Sequence, residues 1–215
     1  MKRFSLLLLL IAIAPAAPAA PLERDLGLGL VFCRVHTLPG DLPTSESLQR
    51  HAWILDVRYV AGDRAAATAL TGWLKFHASA TTPVLLLANA ETSAVLLAPF
   101  TAADAIAGLI ILGPARSDFT PDIAVAVKPG VERRAYHALE TGTAIEALIT
   151  EKVDKVRNVE AMLAREHLPD SALSNPPDDG AAPAAPAAPP LLDPVLQRAV
   201  QLHRTLIALK RISAG

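Results

Sequence analysis

Five short apolar runs set the limits on what this chain can fold into. They read GLGLVFCRV (27–35), WILDVR (53–58), PVLLLA (83–88), LIIL (109–112) and IAVAV (123–127). Most are continuous in apolar character, not alternating, which is how strands read when both faces of a sheet are covered. Helical patterns lie between several of them. DRAAATALTGWLKFH puts Ala66, Leu70, Trp73, Leu74 and His77 on one face, behind Asp63 as N-cap. A second helix starts near Thr92 and reaches Leu97, kept short or broken by Pro99. TAADAIAG suggests a third, capped by Thr101 and closed by Gly108. Strands alternating with helices predict an α/β fold: a mainly parallel sheet of βα units with right-handed crossovers.

Beyond the last run the pattern becomes helical. Ile145, Leu148, Ile149, Val156, Val159 and Leu163 recur at helical spacing over 143–168. Thr143 and Glu146 form a T-x-x-E capping box, and Glu151 and Lys155 an i, i+4 pair. Composition then changes. PDSALSNPPDDGAAPAAPAAPP (169–190) has no periodicity and little to bury, so it predicts a disordered or polyproline-like linker. LLDPVLQRAVQLHRTLIALKRI predicts one amphipathic helix within 191–215, capped by Asp193 with Pro194 at its first position. Two roles suit it: docking back onto the core, or presenting a surface for a partner, a membrane or self-association.

The first 20 residues suggest where the chain goes. Lys2 and Arg3 precede an apolar stretch from Phe4 to Ile13, and small residues follow with A-x-A-type cleavage sites after Ala16 or Ala19. This is the layout of a secretory signal peptide. An uncleaved anchor is the alternative, although the apolar run is shorter than the roughly 20 residues of a membrane span. Export to a periplasmic or extracellular space is the expectation, with no transmembrane span after cleavage. Without that leader, 18 basic residues face 21 acidic ones, and no basic run occurs, which argues against nucleic acid as a partner. Cys33 is the sole cysteine, so no disulfide within the chain is expected, and its place in GLVFCRV suits a buried thiol. The histidines show no ligand spacing and no phosphate-binding glycine loop follows a strand, so neither a metal nor a cofactor is expected.

The order and wording of these pieces resemble the core of the C-terminal processing (tail-specific) serine peptidases, which have a Clp protease/crotonase-like fold. LGLVFCRV is similar to that family's opening strand, and ILDVRYVAGD (54–63) to its ILDLRGNPGG segment. TPVLLLAN resembles its central strand, AETSAVLL its serine turn, ILGPARSDF its glycine segment and TPDIAVAV its PDxxV segment. The resemblance covers about residues 27–150 within a core placed at 22–168. It implies Ser93 as the nucleophile position, and Gly62 as the one residue kept in register from the glycine turn that would face an oxyanion.

The departures fall on the chemistry. The family takes the serine proton with a neutral lysine. The matching position here is Phe119, and no lysine lies between Lys75 and Lys128. Leu96 stands where the family has glutamate, and Tyr59 to Asp63 replace most of the glycine turn. His36, after the first strand, is the candidate for a relocated base. Without one, Ser93 is a helix cap beside Thr92. Asp56 is expected to pair with Arg58, and Arg116 and Asp118 to be loop residues. Three functions follow: an inactive relative that binds a peptide or protein, a serine hydrolase using Ser93 with a relocated base, or a structural protein assembling through its terminal helix.

Overall fold

The computed structural model describes residues 21–44, 51–100, 106–150 and 190–214. Six strands form one sheet in chain order: β1 (Leu22–Asp25), β2 (Leu30–Arg34), β3 (Ala52–Asp56), β4 (Val84–Leu87), β5 (Leu109–Gly113) and β6 (Ile123–Ala124). Strands β2 to β6 are parallel, and β1 is antiparallel to β2. Cys33, Leu55, Leu86 and Ile111 stand abreast across the sheet. The α/β class and mainly parallel sheet expected from the apolar runs are present. The IAVAV strand is shorter than its run, keeping two residues in β6.

The unbroken apolar character of the runs has a direct cause. One sheet face presents Cys33, Val35, Trp53, Leu55, Val57, Val84, Leu86 and Ile111 to helices α1 (Arg64–His77) and α2 (Ala94–Leu97). The other presents Leu30, Phe32, Ile54, Leu85, Leu87 and Leu112 to α4 (Ile145–Ile149) and α5 (Pro194–Ala208). A strand covered on both faces has no solvent side to be polar.

Helix α1 forms as its sequence implies. The Asp63 carboxylate accepts from the Ala66 N–H, and Ala66, Ala67, Leu70, Trp73 and Leu74 are buried. Helix α2 is a single turn that passes into a 3₁₀ turn at Ala98–Phe100, as Pro99 requires. Of the TAADAIAG pattern, Gly108 ends a turn leading into β5 and residues 101–105 lie outside the described residues, as do residues 1–20, the 169–189 stretch and the 151–168 part of the helical pattern.

Two elements have no counterpart in the hydrophobic pattern. Strand β1 reads LERD and is largely exposed. Helix α3 (Pro129–Glu140) is held by few apolar residues, with Ala135, Tyr136 and Leu139 buried. The T-x-x-E capping box does not form. Gly142 turns at φ +95°, the Thr143 N–H donates to the Ala138 carbonyl to finish α3, and Ala144 occupies the N-cap of α4 with no side-chain bond.

The terminal helix belongs to the core. Val195, Leu196, Ala199, Val200 and His203 are buried, and the first four join the cluster beneath the second sheet face. Burying each larger aliphatic side chain stabilises the docked helix by about 1.5–3 kcal/mol. Asp193 caps the helix through the Leu196 N–H at 3.1 Å, with Pro194 in the first turn. The Asp193 backbone N–H donates to the Leu148 carbonyl at 2.8 Å, joining α5 to the end of α4. Among the described residues no helix is long and apolar enough to cross a membrane.

Candidate functional site

Sites in parallel sheets form where the strands end at their C-terminal edge, and two clusters of polar residues gather there. The first is the turn after β4. Asn89 organises it: its side-chain oxygen accepts from the N–H groups of Tyr59, Glu91 and Thr92 at 3.3, 3.1 and 3.0 Å. The Thr92 hydroxyl donates to the Val57 carbonyl at 3.1 Å and accepts from the Asn89 N–H at 2.9 Å. Both Asn89 and Thr92 are buried, at 2% exposure each. The turn after β3 is thereby fixed to the turn after β4.

Ser93 stands at the N-cap position of α2, yet its hydroxyl makes no capping bond. It donates instead to the Gly62 carbonyl at 3.1 Å, while the Ser93 N–H donates to the Val60 carbonyl at 3.0 Å. The expected helix-cap role is therefore replaced by a tie to the neighbouring turn. Gly62 has its own steric reason. A Cβ there would lie 2.5 Å from Leu96 Cδ2, so the leucine at the family's glutamate position fills the space a side chain would take. Gly62 meets Ser93 through a carbonyl oxygen, whereas an oxyanion site needs N–H donors facing the reacting atom.

No side-chain base hydrogen-bonds to the Ser93 hydroxyl among the described residues. His36 sits at the end of β2, where its Nδ1 lies 3.9 Å from Glu140 Oε1. Two cations reach the turn: Arg133 of α3 pairs with Glu91, and Arg116 arrives from the loop after β5. Arg116 NH1 donates to the Thr92 and Asn89 carbonyls at 2.7 and 3.1 Å, and its Nε and NH2 hold Asp118 at 2.9 and 2.8 Å. A guanidinium has donors only and cannot take a serine proton. Phe119 is 7% exposed and packs into the core with Leu96 and Leu97. Arg116, expected only as a loop residue, is thus the clamp of this turn.

The second cluster is buried and ionic. Arg34, Asp56, Arg58 and Asp193 are each 0% exposed, and Glu132 is 5% exposed. Arg58 grips Asp56 through Nε and NH2, both at 2.8 Å, and Asp193 through NH1 and NH2 at 3.0 and 2.8 Å. Arg34 donates to Asp56 at 3.2 Å and to the Tyr136 carbonyl at 2.9 Å, with its guanidinium 3.7 Å from the centre of the Tyr136 ring. The expected Asp56–Arg58 pair is present. Arg34, Glu132, Tyr136 and the ionic role of Asp193 were not anticipated. The signal was available for Arg34: an arginine inside a covered strand must find a partner.

Burial by itself opposes ionisation of these groups, and the pairing outweighs it at two of them. Asp56 is held below the ordinary aspartate range by Arg58 and then Arg34. Arg58 is held well above its ordinary value by Asp56 and Asp193. Glu132 behaves oppositely. Burial, with Asp193 and Asp56 adding to it, raises its carboxyl despite the opposing Arg58 and a hydrogen bond from Asn89. Above the cluster, Tyr59 adopts φ +63°, an uncommon region for a residue with a side chain. Its ring meets Tyr136 edge to face at 4.7 Å.

No family model matches this sequence, and no curated protein does. The peptidase resemblance therefore rests on its motifs. Chemically, the two clusters act as fasteners: beside Ser93 the Arg116 guanidinium is engaged with backbone carbonyls and the Asp118 carboxylate. Among the described residues no group of three or more His, Cys, Asp or Glu side chains is placed to hold a metal ion. Beside the serine turn runs an open groove of about 640 Å³, lined by Arg64, Ala67, Thr71, Lys75, Val95 and Pro99 among others. It lies between α1 and α2. Its floor is apolar, and among the described residues its charged lining side chains are Arg64 and Lys75.

Proposed function

We propose that this protein is an exported, degenerate relative of the tail-specific peptidases, with a Clp protease/crotonase-like core, that binds a peptide or protein segment without cleaving it. One observation carries the reading. The Ser93 hydroxyl spends its proton on the Gly62 carbonyl, and the group delivered to its turn from the next loop is the Arg116 guanidinium, not a base. Nucleophilic attack by serine needs a neighbouring acceptor for that proton. Strand order supports the fold part, since successive βα units lie side by side in a parallel sheet. The groove between α1 and α2 is the surface suited to the bound segment, with Arg64 and Lys75 favouring acidic residues in it.

Incubation of the purified protein with unfolded and C-terminally tagged polypeptides tests this. The expected outcome is intact substrate, together with binding of acidic-apolar peptides that weakens when Lys75→Glu reverses a groove charge. Cleavage abolished by Ser93→Ala would overturn it.

A further inference from the structure

Charge and hydrogen bonding in the buried cluster do not balance with every group ionised. Two guanidiniums, Arg34 and Arg58, face three carboxylates, Asp56, Asp193 and Glu132. Asp56 and Asp193 each accept from arginine with both oxygens or through several contacts. Glu132 differs. Its nearest cation is Arg58 NH1 at 3.8 Å from Oε1, beyond hydrogen-bond length, and Oε1 is buried with no hydrogen-bond partner. A buried carboxylate oxygen with no donor is costly, and a protonated carboxyl largely avoids that cost. One proton on Glu132 would also make the cluster neutral.

The placement of Asp193 gives this proton a consequence. Asp193 heads α5, and its carboxylate both caps that helix and engages Arg58. We propose that docking of the terminal helix is proton-linked: Glu132 carries a proton while Asp193 holds Arg58, and loss of that proton loosens the helix. An ionised Glu132 competes for Arg58 and repels Asp193 and Asp56.

The groups facing Glu132 come from every neighbouring element. They are Arg58 and Asp56 from β3 and its turn, Tyr59 from the same turn, Asn89 from the end of β4, and Asp193 from α5. On its own helix, Arg133 is paired with Glu91, and Tyr136 is stacked against Arg34. None of these supplies a cation to Glu132 other than Arg58. The raised Glu132 carboxyl agrees in direction. His203, also on α5, is lowered by burial and then Arg204, so its titration has the opposite sign: it strengthens docking as pH rises.

Amide hydrogen exchange on the full chain, corrected for intrinsic pH dependence, tests the link between about pH 5 and about pH 9. In a His203→Leu background, which removes the opposing titration, protection of Leu196 to Leu202 should fall as pH rises, by up to about tenfold per pH unit within the titration window, while protection in α1 holds. In Glu132→Gln that fall should disappear. An infrared titration of the wild-type chain reads the proton directly, whether or not the variant folds. A buried protonated-carboxyl stretch that bleaches together with α5 protection supports the proposal. Protection independent of pH, the same fall in Glu132→Gln, or loosening without bleaching of that band overturns it.

Discussion

Arg58 and Asp193 stand 135 positions apart in the chain and meet as a two-pronged ion pair, with contacts of 3.0 and 2.8 Å and no solvent exposure at either residue. This pair fastens the terminal helix to the end of β3. Asp193→Ala removes both the pair and the helix cap. Breaking a buried pair from one side costs about 3–5 kcal/mol. Asp193→Asn keeps a good capping side chain and should lie between the wild type and Asp193→Ala. Urea unfolding midpoints would rank the three. Equal stability of all three would show that the pair does not hold the helix.

Ser93→Ala should cost about 1 kcal/mol, the net worth of one hydrogen bond, here the one to the Gly62 carbonyl. The wild-type serine should stay unlabelled by a fluorophosphonate probe, because labelling requires an activated hydroxyl. Mass spectrometry of the probe-treated protein decides: an adduct on Ser93 means that a base reaches it.

Gly62→Ala should destabilise by about 1–3 kcal/mol through overpacking, since its Cβ would overlap Leu96. In a Leu96→Ala background the same change should cost much less. A double-mutant cycle measures that coupling, and strict additivity would place the strain elsewhere.

His203 is 1% exposed, and its Nε2 has no hydrogen-bond partner. Burial, then Arg204, lowers it below the ordinary value of 6.5. The unfolded chain therefore binds the proton more readily, and the contribution of His203 to stability rises with pH through the window that ends near 6.5. His203→Leu should flatten this slope. Thermal melts of both proteins across that window give the comparison, and parallel curves would refute the assignment.

Cys33 is 1% exposed, and burial, followed by Glu23, Asp41 and Asp56, pushes its thiol up to about 12. Only the thiolate is nucleophilic. The folded protein should resist alkylation near neutral pH and react once unfolded by denaturant. Rapid modification of the native chain would contradict the burial.

The sequence made the sheet legible because covered strands leave continuous apolar runs, and Asp63 and Asp193 announced their helices by cap chemistry. Helix α3 escaped because PGVERRAYHALE buries a tyrosine and a glutamate where periodicity looks for aliphatics. Strand β1 escaped because an edge strand with exposed LERD has no apolar side to repeat. At the site, the sequence indicated what was missing around Ser93 but not what replaced it. The Arg116 clamp joins loops from two strand ends, and the Arg58–Asp193 pair joins residues with no local relation, so neither leaves a spacing to read. The lone arginine within LVFCRV was the legible warning that a buried partner existed.

The backbone contact between Leu148 and Asp193 implies one more property of this architecture. The end of α4 and the start of α5 therefore meet at one point, although 45 positions separate Leu148 from Asp193. For a flexible connection, the closure entropy of holding two such points together grows only logarithmically with the number of residues between them. Changing that number should therefore alter the stability of this contact far less than changing the residues that make it.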